Sequence, residues 1–149
     1  MSVGQYCNRH VITAEQATEI GEIARLMRHH HVGAVVVVER REGAEYPVGI
    51  VTDRDLVVEV LAQNLSPAAL TVGDVMSSKL LTAREDDNFW RTLDWMSAKG
   101  VRRLPVVDEK GALSGILTVD DVLAALAVGL SDVNRLVQRE IAREAQQRQ

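Results

Sequence analysis

Two short runs bring together side chains that can hold a polar ligand. Gly49-Ile50-Val51-Thr52-Asp53-Arg54-Asp55 and Gly115-Ile116-Leu117-Thr118-Val119-Asp120-Asp121 share one pattern: glycine, two aliphatics, threonine, two variable residues, aspartate. The aliphatic part reads as a strand and Thr-x-x-Asp as the opening of a helix. At such a junction hydroxyl and carboxylate converge beside free backbone N–H groups, which suit an anion. A carboxylate can accept from two vicinal hydroxyls at once, the feature that a ribose offers. The competing role for Thr52, Asp55, Thr118 and Asp121 is helix capping alone. Phosphate is matched by the planar fork of arginine. Arg102 and Arg103 open an apolar run in the second half, and Arg54 lies inside the first motif. Where the second half has its arginine pair the first has Gly33-Ala34, so phosphate binding there needs Arg54 or an arginine reaching across.

The elements that position these residues occur twice. Adding 69 to the numbers of Thr13 to Val38 places Thr13-Ala14 on Thr82-Ala83, Met27 on Met96 and Val37-Val38 on Val106-Val107. The Gly-h-h-Thr motifs match at an offset of 66, so the first copy carries three extra residues between Val38 and Gly49. That charged stretch with Gly43 and Pro47 reads as a hairpin loop, where insertions are tolerated. Each copy reads as an extended piece (Val11 to Thr13, Leu80 to Thr82), a helix, two strands and a second helix. Ile20, Ile23, Ala24 and Met27 form one helical face, repeated by Phe89, Leu93 and Met96. Thr18 and Asp87 are candidate N-caps, with Thr13-x-x-Gln16 and Thr82-x-x-Glu85 as alternative starts. Val32 to Val38 and Val101 to Val107 read as buried strands, with Pro105 marking an edge or an irregularity. The second helices are expected over Asp55 to Gln63 and Asp121 to Val128. After Gly129 a separate amphipathic helix is expected from Ser131 or Asp132 to about Arg148. The expected fold is mixed α/β (α+β), two β-α-β-β-α repeats packed sheet to sheet, with units at 1–65 and 66–130 and a C-terminal helix over 131–149.

Composition narrows the function. The 149 residues carry 17 basic and 21 acidic side chains, net −4, which argues against general nucleic-acid binding. Aromatics are 3%, so the core is aliphatic. No apolar run approaches the roughly 18 residues of a membrane span, and no signal peptide is expected at the N-terminus. A single cysteine, Cys7, rules out an internal disulfide and fits a cytoplasmic setting. Adjacent His29, His30 and His31 point in different directions on a helix and suit its C-terminal dipole better than a metal. No resident metal or cofactor is required, Mg²⁺ accompanying a nucleotide being the one metal allowed for. With no phosphate-binding loop and no nucleophile–base spacing, no catalytic residue is assigned and an enzyme is not expected.

The doubled motif, with Val101-Arg102-Arg103-Leu104-Pro105-Val106-Val107-Asp108 before the second copy, resembles a tandem pair of CBS domains, a Bateman module, over about residues 5 to 130. The resemblance implies a regulatory sensor that binds AMP, ADP, ATP, NAD or S-adenosylmethionine between the repeats. It implies Thr52 with Asp55 and Thr118 with Asp121 as ribose and phosphate contacts, and Arg102, Arg103 and Arg54 as phosphate partners. The adenine would lie against Thr13 and Val32 in one copy and Leu81, Thr82, Val101 and Leu104 in the other. It also implies a homodimer and a separate effector protein as partner. The alternative is a ligand-free dimerisation or interaction scaffold with degenerate sites.

Overall fold

The structure is a computed structural model that describes residues 1–148; Gln149, the last residue of the expected tail, lies outside them. The element order is α1 (Val3–Tyr6), β1 (Thr13–Glu15), α2 (Ile20–His30), β2 (Ala34–Arg41), β3 (Ala44–Thr52), α3 (Asp53–Asp55), α4 (Val72–Val75), β4 (Ala83–Arg84), α5 (Phe89–Lys99), β5 (Arg103–Val107), β6 (Leu113–Thr118) and α6 (Val119–Gln147). A π-helical stretch, Leu56–Leu61, continues α3, and a 3₁₀ turn, Pro67–Ala69, follows it. Two three-stranded sheets form, β1-β2-β3 and β4-β5-β6, each with a parallel first pair and an antiparallel second pair. They meet through β3 and β6. Each sheet has its own core. Ile20, Ile23, Val35, Val37 and Val51 fill the first; Phe89, Met96, Leu104, Val106 and Leu117 fill the second.

The repeats exchange their leading turns. Val3 of α1 is fully buried in the second core, while Val72 of α4 is fully buried in the first. Behind α1, Asn8 bridges Ile116 on the open edge of β6; behind α4, Ser77 bridges Ile50 on the open edge of β3. The glycine of each motif makes room for this contact. A Cβ on Gly115 would lie 2.7 Å from Cys7 Sγ and 2.9 Å from the Asn8 carbonyl, and one on Gly49 would collide with Met76 Sδ. Arg9 strengthens the first exchange by donating to Glu85, to the Ser114 carbonyl (3.1 Å) and to the Gly4 carbonyl (2.9 Å). Its guanidinium holds the Glu85 carboxyl below the usual carboxylate range. What that pair adds is therefore present at neutral pH and lost as acid protonates Glu85.

Several expected boundaries move, each for a local reason. The extra residues of the first copy do not form a loop. They lengthen the hairpin, pairing Glu39 with Tyr46, Arg40 with Glu45 and Arg41 with Ala44. The turn is Glu42-Gly43, both at positive φ (50° and 78°), as a two-residue hairpin turn requires. Pro105 does not mark an edge: β5 is the central strand. Its missing N–H instead shortens β4. The equivalent Val36 N–H donates to the Ile12 carbonyl (3.0 Å), a bond proline cannot make, so pairing starts only at Ala83.

The N-caps are Glu19 and Asn88 rather than Thr18 and Asp87 or the earlier threonines. Asn88 Oδ1 accepts from the Trp90 and Arg91 N–H groups (3.1 Å each), and Asp87 Oδ2 is engaged by the Arg84 N–H (2.8 Å). Gly129 does not end a helix, and neither Ser131 nor Asp132 begins one: α6 runs unbroken, with Asp132 paired to Arg135. One glycine inside a long helix costs only about 1 kcal/mol, too little to break it.

Gly115→Ala is expected to destabilise the protein by about 1–3 kcal/mol in urea unfolding, because the new methyl meets backbone that cannot retreat without opening the Asn8–Ile116 bridge.

Candidate functional site

Each Thr-x-x-Asp run closes its strand and opens its helix as a reciprocal capping box. The Asp55 N–H donates to Thr52 Oγ1 (3.2 Å) and the Thr52 N–H donates to Asp55 Oδ2 (2.8 Å). In the second repeat the Asp121 N–H donates to Thr118 Oγ1 (3.2 Å), the Thr118 N–H to Asp121 Oδ2 (2.8 Å), and the Thr118 hydroxyl to the same oxygen (2.7 Å). All four residues are half-buried. The caps use one carboxylate oxygen of each aspartate, and Oδ1 of both remains outside these bonds. Capping and ligand contact are thus compatible in one carboxylate, which has about four acceptor positions.

A second pair of matching bonds places the strand starts beside these junctions. The Asp53 N–H donates to the Gly33 carbonyl, and the equivalent Val119 N–H donates to the Arg102 carbonyl (3.0 Å each). Arg102 therefore stands at the opening of α6, with an exposed side chain. Arg103 pairs with Thr118 in the β5–β6 register. Its guanidinium leaves that strand and reaches the other repeat. A Cβ on Gly33 would lie 3.1 Å from Arg103 Nη2 and 3.2 Å from Asp53 Oδ2. The bare glycine leaves space for a cation from one repeat beside the helix opening of the other.

The reciprocal contact does not exist. Ala34 holds the position of Arg103 in the first repeat and pairs with Thr52, while Val119 takes the place of Asp53. The two junctions thus share a backbone and differ in charge. Arg54 is exposed on α3, its N–H bonded to Asp53 Oδ1 (2.9 Å).

The expected adenine-facing residues divide. Leu104 is fully buried in the second core, with Leu81 and Val101 packed partly against it. Thr82 lines a separate hollow with Asp86, Arg91 and Trp95, and Thr13 donates to Glu45 (3.4 Å). Val32 is half-buried where α2 leads into β2. Asp55 also faces a hollow of about 480 Å³ shared with Glu59 and Asp74, an acidic setting that suits hydroxyls better than phosphate.

The position of Asp53 was not readable: in sequence it is one of several helix-opening acids, and only the packing of the repeats brings Arg103 to the same glycine, Gly33. Among the described residues no three His, Cys, Asp or Glu side chains form a metal-binding group. His10 and His30 face each other edge to ring at 6.5 Å between centroids, at the exposed end of α2. Burial pushes the Cys7 thiol up and keeps it protonated. No helix among the described residues is long and apolar enough to cross a membrane.

Comparison with known proteins agrees with this fold. The family described as CBS domain matches residues 3–62 and 72–128. An uncharacterized protein of Methanopyrus kandleri is 41% identical over 123 residues, which is 83% of this chain and 61% of that one; the chain thus spans less than two thirds of that relative. The CBS domain pair of protein MJ0100, solved with 5′-methylthioadenosine and S-adenosylmethionine, superposes with a TM-score of 0.74 at 27% identity, covering 87% of this chain and 98% of that one. The cytosolic domain of the Mg²⁺ channel MgtE, solved with ATP, superposes with a TM-score of 0.70 at 27% identity, covering 83% and 48%.

Thr118→Ala is expected to cost about 1 kcal/mol (range ~0.5–2) in urea unfolding of ligand-free protein, with Thr118→Ser restoring most of it through its own Oγ.

Proposed function

Because the chain belongs to the CBS domain family, we propose that it is a regulatory module that takes an adenine-containing ligand in the cleft between its two repeats and signals to a partner protein in the cytoplasm. The observation that carries this reading is Arg103, whose strand belongs to the second repeat and whose guanidinium stands beside Gly33 and Asp53 of the first. A ligand phosphate at this point would be held by both repeats at once. The neighbours solved with S-adenosylmethionine, 5′-methylthioadenosine and ATP support the ligand class.

The chemistry follows from the groups present. Asp55 or Asp121 accepts from the ribose hydroxyls through Oδ1 while Oδ2 keeps the cap. The N–H groups of Asp53, Asp55, Val119 and Asp121 already serve the caps and the strand starts, so the phosphate falls to the arginines. Arg103 supplies a charge-assisted fork, joined by exposed Arg102 or Arg54 according to the junction occupied. With ligand absent, Arg103 and Asp53 both border the space over Gly33, where a bound phosphate would meet the guanidinium. A ligand that prefers one angle between the repeats then shifts their arrangement by its differential affinity, and a partner reads that shift. Catalysis has no part in this reading. Mg²⁺ enters only with a triphosphate, carried by the phosphate oxygens.

Isothermal titration of nucleotide-free protein with AMP, ATP, NAD, S-adenosylmethionine and 5′-methylthioadenosine tests the proposal. Saturable binding of at least one is expected. Arg103→Ala should weaken phosphate-bearing ligands about tenfold or more, since a charge-assisted bond contributes about 1.5–3 kcal/mol, and should leave 5′-methylthioadenosine nearly unchanged. Absence of heat with every ligand would leave the scaffold reading in its place. Asp121→Ala separates the two as well: partner binding by a scaffold survives it, and ligand-dependent partner binding does not.

A further inference from the structure

At the end of α2 is a hollow lined by basic side chains alone. Arg25, Arg28, His29 and His31, all exposed, surround about 330 Å³. The chain as a whole is acidic, at net −4. Arg25, Arg28 and His29 share one helical face, being three and four residues apart. Arg25 Nε donates to Glu22 (2.9 Å), an exposed pair that holds it only loosely. Arg28 makes no ion pair among the described residues. The second repeat shows that the fold does not ask for these charges. At the offset of 69 the same positions of α5 hold Asp94, Ser97, Ala98 and Gly100. One cation in the last turn, Lys99, is enough there for the carbonyl end of the helix. His31 is the sharper difference. It stands at a positive φ of 53°, where the equivalent Gly100 stands at 66°. An L side chain in that region carries a strain that glycine does not. The chain keeps an imidazole at a place suited to glycine, and that imidazole lines the hollow.

We propose that this hollow docks an acidic segment of a partner protein. The two guanidinium forks match carboxylates, and the imidazoles set further N–H donors beside them. None of the four side chains is buried, so none can strip the water from a single small ion. Recognition falls to several exposed charge contacts made at once, and a run of glutamates or aspartates supplies them. Nucleic acid fits less well. No aromatic side chain lines the hollow to stack a base. The same helix begins at Glu19 and Glu22, which would interrupt a track of phosphates. Two residues beyond His31, Gly33 borders the space shared by Arg103 and Asp53. A segment held at His31 and a ligand held over Gly33 would meet on one turn of backbone. The inference takes the existence of a partner from the regulatory reading, and its measurement needs no cleft ligand.

Fluorescence anisotropy of a labelled hexaglutamate peptide, titrated with the full chain, tests it. Saturable binding is expected at low salt, weakening as NaCl is raised. Arg28→Ala and His31→Gly should each weaken it about two- to fivefold. His31→Gly carries the sharper reading: with the strain removed, the urea midpoint should hold or rise while the peptide binds more weakly. A histidine with a merely structural role would give the first without the second. Arg143→Ala removes an exposed arginine from α6 and should leave the affinity unchanged. Absence of hexaglutamate binding at low salt overturns the proposal, as does unchanged affinity in both hollow variants. An equal loss with Arg143→Ala also overturns it, since bulk charge would then be responsible. So does displacement of the peptide by AMP, which would place it in the cleft, and so does tighter binding of an oligothymidylate of the same length, which would make the site one for nucleic acid.

Discussion

The arrangement of the two repeats depends on how closely two backbones approach at Gly49 and Gly115. At each glycine a segment from the neighbouring repeat lies where a side chain would otherwise stand. That proximity lets Ser77 bond Ile50 and Asn8 bond Ile116, closing the open edge of each sheet with chain from the other repeat. The leading turns follow, and Val3 and Val72 end in each other's cores. Two units of this size bury little surface alone and are marginal. Exchange makes them one structure and sets the angle between them when no ligand is bound. The position of Arg103 beside Gly33 is a consequence of that angle.

The twofold relation between the repeats is close in backbone and broken in side chains. Both junctions carry the same capping box and the same bond from the helix opening to the strand start. Charge differs: Arg103 against Ala34, Asp53 against Val119, Arg102 against Gly33. On the proposed reading, a ligand with a phosphate would meet two unequal junctions, the one bordered by Gly33 drawing on both repeats. A module with inequivalent halves can tie occupancy to their relative angle, since differential contact between states is what a regulatory ligand must have.

Much of this was legible in the sequence. The offset repeat, the Thr-x-x-Asp junctions and the arginine pair are local patterns, and local patterns report strands, helix starts and charge. The exchange left a trace too: Ser2-Val3-Gly4 and Thr71-Val72-Gly73 stand 69 residues apart, as the rest of the repeat does, and each opens a short capped turn. What could not be read was which core each turn joins, because burial of a valine carries no address. Boundaries moved where a single atom decided them. The absent N–H of Pro105 shortened β4, and Gly129, a stop signal in composition, was overridden by the good helix formers on both sides. Asp53 looked like any helix-opening acid until packing brought a guanidinium to the same glycine.

The central claim is that one ligand is held by both repeats. Amide hydrogen exchange, read residue by residue with and without saturating ATP, measures this most directly. Slowed exchange is expected together at Asp53 to Asp55 and at Arg103 and Val119 to Asp121, at one common ligand concentration. Protection confined to one repeat, or absent from both junctions while ATP is bound elsewhere, would contradict it.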